Sequence, residues 1–568
     1  MKAAVRFAKL FIFVSTLTFW ASNLPAQTNI EALLDAGEFG PARVAAAQLP
    51  AAARDAALSK IAQAQAAGGV RAGSLYTAGD IADDRTRRQV LDYVSTRAPS
   101  APLPARGAAA ADFDTLIDLI TSTIAPQTWD EVGGPGAVDG FPGGVFVDAA
   151  GVLRKLPRDT SNASLALLRN QSTGGVSHEV QHEAALRKVS LTRLEKQLQL
   201  RWAAGQLPTE AMSNLAGIYQ IKYVFVYPET GDLVIAGPAG AWTTNDEGRQ
   251  VSIKTGKPVV QLDDLVVLLR NAYGPVGSFT CSITPTQQKL ADAQAYLNEW
   301  AKQPLKPHQR REWSKGLRDA LGMQEIEVTG IDPETRVARV IVEADYRMKL
   351  VGMGLEEGVL GVESYLDSIQ VPAGGAPPAT SVLRWWFTLN YKALQATKAR
   401  NAFALQGQGV QVLSENELLT KLGKRVHTGQ SDALNSQFAR DFTQHFDALA
   451  AKYPIYAELK NVFDLALVAA LCKAEDLPGQ VAWHRTHFGD PTRFHVERST
   501  APTRVESVVN YRVLNEKYVV AGVSGGVSVD ARPLVQPQAI QQDEYGLMSA
   551  DRTGSVPRNL DRDAWWWD

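Results

Sequence analysis

The stretch YQIKYVFVYPETGDLVIAGPA, residues 219–239, predicts two short strands joined by a tight turn at ETGD, with Gly231 in the turn. It is followed at residues 261–273 by QLDDLVVLLRNAY, whose apolar spacing is helical. Asp263 and Asp264 lie near the start of this helix, where carboxylates suit the helix dipole. Strands that pair through short turns, mixed with helices in this way, favour an α+β fold.

The same mixture extends along the chain. We predict a strand at SFTCSIT, followed by a helix, and a further helix in REWSKGLRDALG that ends at Gly322. QEIEVTGI and RVARVIVEADYRMKLVGM are then expected to be two strands joined by DPETR, which would place Glu343 and Asp345 on one side of the second strand. Residues 432–476 predict a helical pair broken at Pro454, with a buried second half.

Composition limits the class of protein. The 568 residues are 45% hydrophobic and 21% charged, so we expect a folded chain with several domains and antiparallel sheets packed with helices. The 58 basic and 60 acidic residues leave a formal net charge of -2, which argues against a nucleic-acid partner. The two cysteines, Cys281 and Cys472, either pair in an oxidising compartment or are buried thiols.

The N-terminus predicts export. A basic start, MKAAVRFAK, precedes a short apolar run and a small-residue site at Ala26, which is typical of a secretory signal peptide over residues 1–26. No later segment is long and apolar enough to span a bilayer. We therefore expect a periplasmic or extracellular protein without a membrane-spanning segment once the signal is removed.

The remaining chain divides by composition. We predict an N-terminal helical hairpin region (27–97) with a turn near Pro50 and a second helix that ends at Gly68. An Ala/Pro linker (98–111) and a small unit (112–157) follow; the small unit is predicted as a helix, a Gly-rich loop and two strands joined at DAAG. The main α+β body covers residues 178–530, and residues 541–568 are predicted to be a loose C-terminal tail.

Several stretches resemble one family. LRKVSLTRLE, YVFVYPETGDLVIAGPA, EADYRMKLVGMGLE and LRWWFTLNY are similar to signature stretches of the planctomycete domain-of-unknown-function family 1598, over residues 112–530. Upstream, the helix of the small unit, Trp129 and GGPG resemble a stretch found beside short secretin-type N-terminal modules. The resemblance implies an exported bacterial protein with protein contacts in the envelope, and it carries no catalytic residues over.

HEVQH, residues 178–182, has the H-E-x-x-H spacing of zinc peptidases. There His178 and His182 would ligate the metal, Glu179 would activate its water, and Glu195, Glu210 or a distant histidine would be the third ligand. If residues 178–202 form one helix, both histidines lie opposite its apolar face and point to solvent. If the helix breaks near Ser190 or Thr192, their orientation stays open, and Thr192 and Glu195 are placed for a new capping box.

Other chemistry is less well supported. His484, His487 and His495 in WHRTHFGDPTRFH favour loop histidines packed on aromatic rings over a metal site, since the GDP turn interrupts any helix. Within LRWWFTLNY at least one aromatic ring must face away from its neighbours, and the terminal run Trp565–Trp567 either docks on the body or captures a partner.

The sequence therefore favours an exported envelope protein without a catalytic role. Its partners are expected to be other envelope proteins, and no cofactor is expected. The alternative is a zinc-dependent hydrolase that uses the HEVQH stretch.

Overall fold

The computed structural model describes residues 30–34, 37–68, 70–96, 137–141, 144–148, 178–300, 302, 306–370, 381–391, 394–419, 425–514 and 517–568. The chain divides into two compact units. Unit 1 takes in the N-terminal residues to Arg106 with the segments Thr192–Pro208 and Ala482–Asp490, and unit 2 holds the remainder. Both of those segments lie within the main body predicted over residues 178–530.

Unit 1 is helical. Pro50 precedes the second of the two helices predicted around it and Gly68 follows that helix, so the sequence prediction of a hairpin is confirmed. The hairpin does not stand alone, because Ile61, Val90, Leu91 and Ala203 join one buried cluster drawn from several helices. The helices of the unit include Phe39–Ala47, Ala51–Ala67, Arg71–Ala78, Asp84–Thr96 and, from its second residue onward, Leu191–Ala203.

Unit 2 contains an eight-stranded sheet. All its strand pairs are antiparallel except that between Ser381–Asn390 and Lys517–Val529, which is parallel. Along the sheet the strands are Arg425–His427, Gly409–Leu419, Ser381–Asn390, Lys517–Val529, Phe279–Pro285, Met323–Thr329 and Arg504–Glu506, with Val509–Leu514 also paired to Lys517–Val529. Trp385 and Phe387 are buried on one face, whereas Trp386 lies on the other with Arg384 over its ring, as the aromatic run predicted.

Unit 2 also contains a seven-stranded sheet. Its strands in order are Ile540–Gln542, Leu394–Ala396, Ala402–Leu405, Tyr223–Tyr227, Asp232–Ala239, Ala184–Ser190 and Trp566–Trp567. The hairpin predicted at residues 219–239 forms the centre of this sheet, and Gly231 takes the positive φ (71°) that its turn requires. Short hairpins pair Trp242–Thr244 with Gln250–Ser252, and Ala137–Phe141 with Gly144–Asp148.

Helices cover the sheets of unit 2. Pro454–Ala474 is buried over most of its length, as its apolar sequence predicted, and the helix Leu262–Tyr273 packs against it. The other helices are Glu210–Ser213, Gln287–Trp300, Arg310–Leu321, Arg336–Gly352, Tyr365–Ser368, Ala433–Gln444, Phe446–Lys452, Leu477–Gln480 and Leu547–Gly554, with 3-10 turns at His178–Gln181, Leu215–Gly217, Pro307–Gln309, Arg532–Val535 and Pro537–Ala539. The protein thus has a multi-domain α+β fold.

Two predictions of secondary structure are wrong, and one open alternative is decided. Residues 336–352 form a helix, not a strand; Thr335 caps it by accepting a hydrogen bond from the backbone N–H of Ala338. Of the two alternatives for residues 178–202, the break near Ser190 is the one observed, because a strand occupies Ala184–Ser190 and the helix begins at Leu191. The strand Gly144–Asp148 pairs with Ala137–Phe141, inside the stretch predicted as a Gly-rich loop.

The C-terminal tail also differs from its prediction. Instead of being loose, it contains the helix Leu547–Gly554 and ends in a strand that pairs with Ala184–Ser190. Trp565 and Trp567 are buried, so the terminal run is docked on the body, the first of its two predicted alternatives. The predicted signal peptide, the Ala/Pro linker and the helix of the small unit fall outside the described residues. Of the helices that the structure describes, none has the length and apolar character needed to cross a membrane.

Candidate functional site

The HEVQH stretch forms a 3-10 turn, His178–Gln181, directly before the strand Ala184–Ser190. The argument that the two histidines point away from an apolar helical face therefore does not apply. The side chains of His178 and Glu179 lie outside the part of the chain that the structure describes, so zinc ligation by this pair stays a prediction. His182 is described, and its ring nitrogen Nε2 contacts the carboxylate of Asp568.

The centre of this region is Arg187, whose side chain is fully buried (0% exposed). Its five N–H groups all have acceptors. Nε and one Nη2 proton bond the two carboxylate oxygens of Asp568, each at 2.9 Å, as a bidentate pair. Nη1 donates to the carbonyls of Val180 (2.6 Å) and Ala216 (2.8 Å), and Nη2 also donates to the carbonyl of His182 (2.9 Å). Arg187 therefore fixes the HEVQH turn and the end of the chain together.

The terminal residues complete this arrangement. The backbone N–H of Ser190 donates to the carbonyl of Trp565 at 2.9 Å, and Trp566 and Trp567 pair with Val189 and Lys188. The ring of Trp566 lies 4.7 Å from the guanidinium carbon of Arg187, a cation–π distance. We call this set of contacts, centred on Arg187 and the strand Ala184–Ser190, the C-terminal slot.

Unit 1 holds a second organised site around Glu195, a fully buried residue of the helix Leu191–Ala203. Its carboxylate accepts hydrogen bonds from the indole Nε1 of Trp483 and from the backbone N–H groups of His487 and Phe488, the last two at 2.7 Å. Burial and the nearby Asp84 raise the pKa of Glu195 to about 7. The Glu195 carboxylate is thus bound by donors within unit 1. It forms neither the capping box suggested with Thr192 nor an open position for a zinc ion.

The segment Ala482–Asp490, which we call the clamped loop, is held from two sides. Glu195 binds it as described, while the backbone N–H of Thr486 donates to Asp84 at 3.4 Å and the Thr486 hydroxyl accepts from Gln199 at 2.9 Å. Ala482 and Arg485 both have φ near 53°, a left-handed conformation that non-glycine residues rarely adopt. Such strain persists only where the surroundings enforce it, and it concentrates at functional sites.

The clamped loop forms one wall of a groove of about 540 Å³. The first turns of the helix Asp84–Thr96 form the other wall. Its side chains include three arginines, two aspartates and a histidine; the lining residues are Arg85, Arg88, Gln89, Asp92, His484, Arg485, Thr486, Gly489 and Asp490. Because the groove is shaped by buried contacts, it is a preformed concave surface, the usual form of a binding site.

The other sequence candidates have structural partners. The His487 ring packs on Trp202 with centroids 5.4 Å apart, which confirms an aromatic contact for that histidine, and His484 Nε2 lies 3.8 Å from a carboxylate oxygen of Asp83. His495 belongs to unit 2. Glu210, the other suggested zinc ligand, accepts a hydrogen bond from Trp242 Nε1 at 2.9 Å.

Glu343 and Asp345, which were expected on one side of a strand, lie instead on the helix Arg336–Gly352 and have different partners. Glu343 bonds Arg249, whereas Asp345 is fully buried with Lys349 Nζ at 2.7 Å. Cys281 and Cys472 are both buried and do not form a disulfide with each other, which selects buried thiols over the paired alternative. Among the residues that the structure describes, no three His, Cys, Asp or Glu side chains are grouped closely enough to hold a metal ion.

Sequence reasoning did not identify Arg187, and it considered Glu195 only as a zinc ligand or a helix cap. A usable signal was present, because both are charged residues among the apolar positions Val189, Leu191, Leu194 and Leu198, all of which are buried. A charge in such a pattern is either paired or forms part of a site. Nothing in the local sequence reveals partners such as Asp568 for Arg187 or Trp483 for Glu195, which lie hundreds of positions away.

Comparison with known proteins gives one finding. The model of a family described as "Protein of unknown function (DUF1598)" matches residues 281–365. This match agrees with the resemblance seen in the sequence and covers the strand Phe279–Pro285 from its third residue through the helix Arg336–Gly352 to Tyr365. No curated protein and no solved structure matches the chain.

Proposed function

We propose that the protein is exported and works without catalysis, as an interaction or assembly module among envelope proteins. The observation that supports this most is the clamped loop of unit 1. Two buried carboxylates, Glu195 and Asp84, are engaged in holding a surface loop in a strained shape beside a groove. Rigid positioning of a polar groove is what recognition of a partner requires, because little ordering entropy remains to be lost on binding.

The groove suits a partner surface that carries carboxylates. Arg85, Arg88 and Arg485 line it, and arginine binds carboxylates through planar, paired N–H donors. Asp92 and Asp490 share the lining, so the groove is mixed in charge. A partner that matches both signs would be selected by electrostatic complementarity, which sets specificity and association rate.

A photocrosslinking residue at Gln89, in full-length protein expressed in its own cells, tests this function. We expect Gln89, an exposed groove residue, to give a discrete adduct with an envelope protein. Adding Arg88→Glu should cut the adduct yield by about tenfold, because the charge reversal opposes the partner carboxylates.

Lys60 is the matched control position, since its side chain is 61% exposed in the same unit but outside the groove lining. Adducts of equal yield at Lys60 and Gln89, or a Gln89 adduct that survives Arg88→Glu, would argue against the groove as the binding surface.

The export part of the proposal rests on the first 26 residues and on the likeness to exported planctomycete proteins with secretin-type modules. We expect the mature protein, recovered from the periplasm or medium, to begin at Gln27. N-terminal sequencing gives the answer directly. A chain that retains Met1 in the cytosol would contradict it.

The zinc-hydrolase alternative has a separate test. His182 is engaged by Asp568, and Glu195 and Glu210 are engaged by indole N–H groups, so we expect no stoichiometric zinc in the purified full-length protein. His182→Ala should leave the metal content unchanged and cost less than about 1 kcal/mol, because its side chain is 54% exposed. One zinc per chain that is lost in the variant would establish the alternative instead.

A further inference from the structure

We propose that the C-terminal slot is a peptide-docking site, occupied here by the chain's own Trp565–Asp568, and that it accepts the same segment from a second copy of this chain. The proposal concerns unit 2 and is independent of the groove in unit 1. It is argued from the carboxylate seat, the sheet edge and the aromatic contacts of the slot.

The binding site for the carboxylate, which we call the carboxylate seat, is the guanidinium of Arg187, and contacts other than those with Asp568 already hold it in place. Three of the five donors of Arg187 are used by the carbonyls of Val180, Ala216 and His182, which lock the guanidinium in place. The two remaining donors point at one carboxylate and bind it bidentately at 2.9 Å. A fully buried arginine held in this way recognises a carboxylate with fixed orientation, and an uncharged amide cannot replace it fully.

The rest of the segment binds as an added strand. Ala184–Ser190 would form the edge of the seven-stranded sheet without Trp566–Trp567, and an exposed edge is a template for an extended peptide. Trp567 fills a cluster with Met548, Val556 and Leu560, and its indole N–H donates to the carbonyl of Ser555 at 3.1 Å. Backbone pairing thus supplies affinity, while the Trp567 cluster and the Arg187 seat supply specificity.

Exchange is possible because the docked segment is short and lies at the rim. Only two of its residues pair with the edge strand, and residues 556–565 before them contain neither helix nor strand. The carboxylate of Asp568 remains 27% exposed while bound. Any copy of this segment can make identical contacts, so the local copy is favoured only by an effective concentration on the order of millimolar.

Fluorescence polarisation with labelled peptides tests the slot. The parent peptide is RDAWWWD, residues 562–568; the control peptide carries Asp568→Asn, and both are C-terminally amidated so that only the side-chain carboxylate differs. The proteins are full-length wild type and full-length Trp567→Ser/Asp568→Asn, whose own segment is weakened. We expect the variant to bind the parent peptide at least about tenfold tighter than the wild-type protein does, because its own segment no longer competes. We also expect the variant to bind the parent peptide at least about tenfold tighter than the control peptide, which lacks the carboxylate.

If the variant binds both peptides with equal affinity, Arg187 does not recognise the carboxylate. If wild type and variant bind the parent peptide with equal affinity, the chain's own segment does not occupy the slot. If the double variant does not fold, full-length Asp568→Asn replaces it under the same criteria. Light scattering of the wild-type protein tests whether a second copy of the chain supplies the docked segment. We expect a dimer fraction that rises with concentration and is lost in Asp568→Asn, whereas a monomer at every concentration, up to about millimolar, overturns exchange between copies.

Discussion

Arg187→Leu is expected to lower the free energy of unfolding of unit 2 by about 3 kcal/mol or more, since it leaves buried acceptors without donors. The carbonyls of Val180, Ala216 and His182 lose their side-chain donor, and Asp568 loses its bidentate partner. Because Asp568 is partly exposed, water compensates part of that last loss. Urea denaturation followed by tryptophan fluorescence measures the change, and we expect the Trp565–Trp567 signal to move first.

Arg532→Leu is the matched control. Arg532 also makes a bidentate ion pair, with Asp530, but its side chain is 56% exposed. Exposed ion pairs contribute little to stability, so its removal should change the free energy of unfolding far less than the removal of Arg187 does. Similar losses in the two variants would show that the burial of Arg187 does not carry the effect.

The parts of the fold that follow from local chemistry were predictable. Pro50 and Gly68 marked the limits of a helix, Gly231 marked a hairpin turn, and Pro454 marked the start of the buried helix Pro454–Ala474. Each works through backbone conformation, which depends on the residue itself. Residues 336–352 were misassigned because β-branched residues such as Val337, Val340 and Ile341 favour strands, whereas their burial on a covered helix decides the structure.

The sites were predictable only in part. The HEVQH letters are present, yet the strand that follows and the contact of His182 with Asp568 depend on a segment far away in the sequence. Arg187 and Asp568 are 381 positions apart, and Glu195 and Trp483 are 288 apart. The local sequence can signal that a charge is buried, but it cannot identify the partner, since only the fold brings the two together.

Glu195 is expected to make unit 1 less stable as pH rises from about 4.5 to 7. Burial, and then the charge of Asp84, raise its pKa from 4.5 to about 7, so in this range the folded carboxyl keeps its proton while the unfolded one has lost it. The contribution of the neutral form is fully present below pH 4.5 and is lost as pH passes the folded pKa. The shift corresponds to about 3 kcal/mol, and Glu195→Gln, which cannot ionise, should abolish that dependence.

Hydrogen exchange of the amides in residues 192–203, compared at pH 4.5 and 8 after correction for intrinsic rates, reports unit 1 alone. This choice matters because burial raises the pKa of Asp264 in unit 2 to about 6, which gives that unit a pH dependence of its own. Glu210→Gln is the control, since Glu210 also accepts an indole N–H but lies in unit 2. We expect wild type and Glu210→Gln to lose protection together at pH 8 while Glu195→Gln retains it; parallel pH profiles in all three proteins would show that Glu195 is ionised in the folded state throughout.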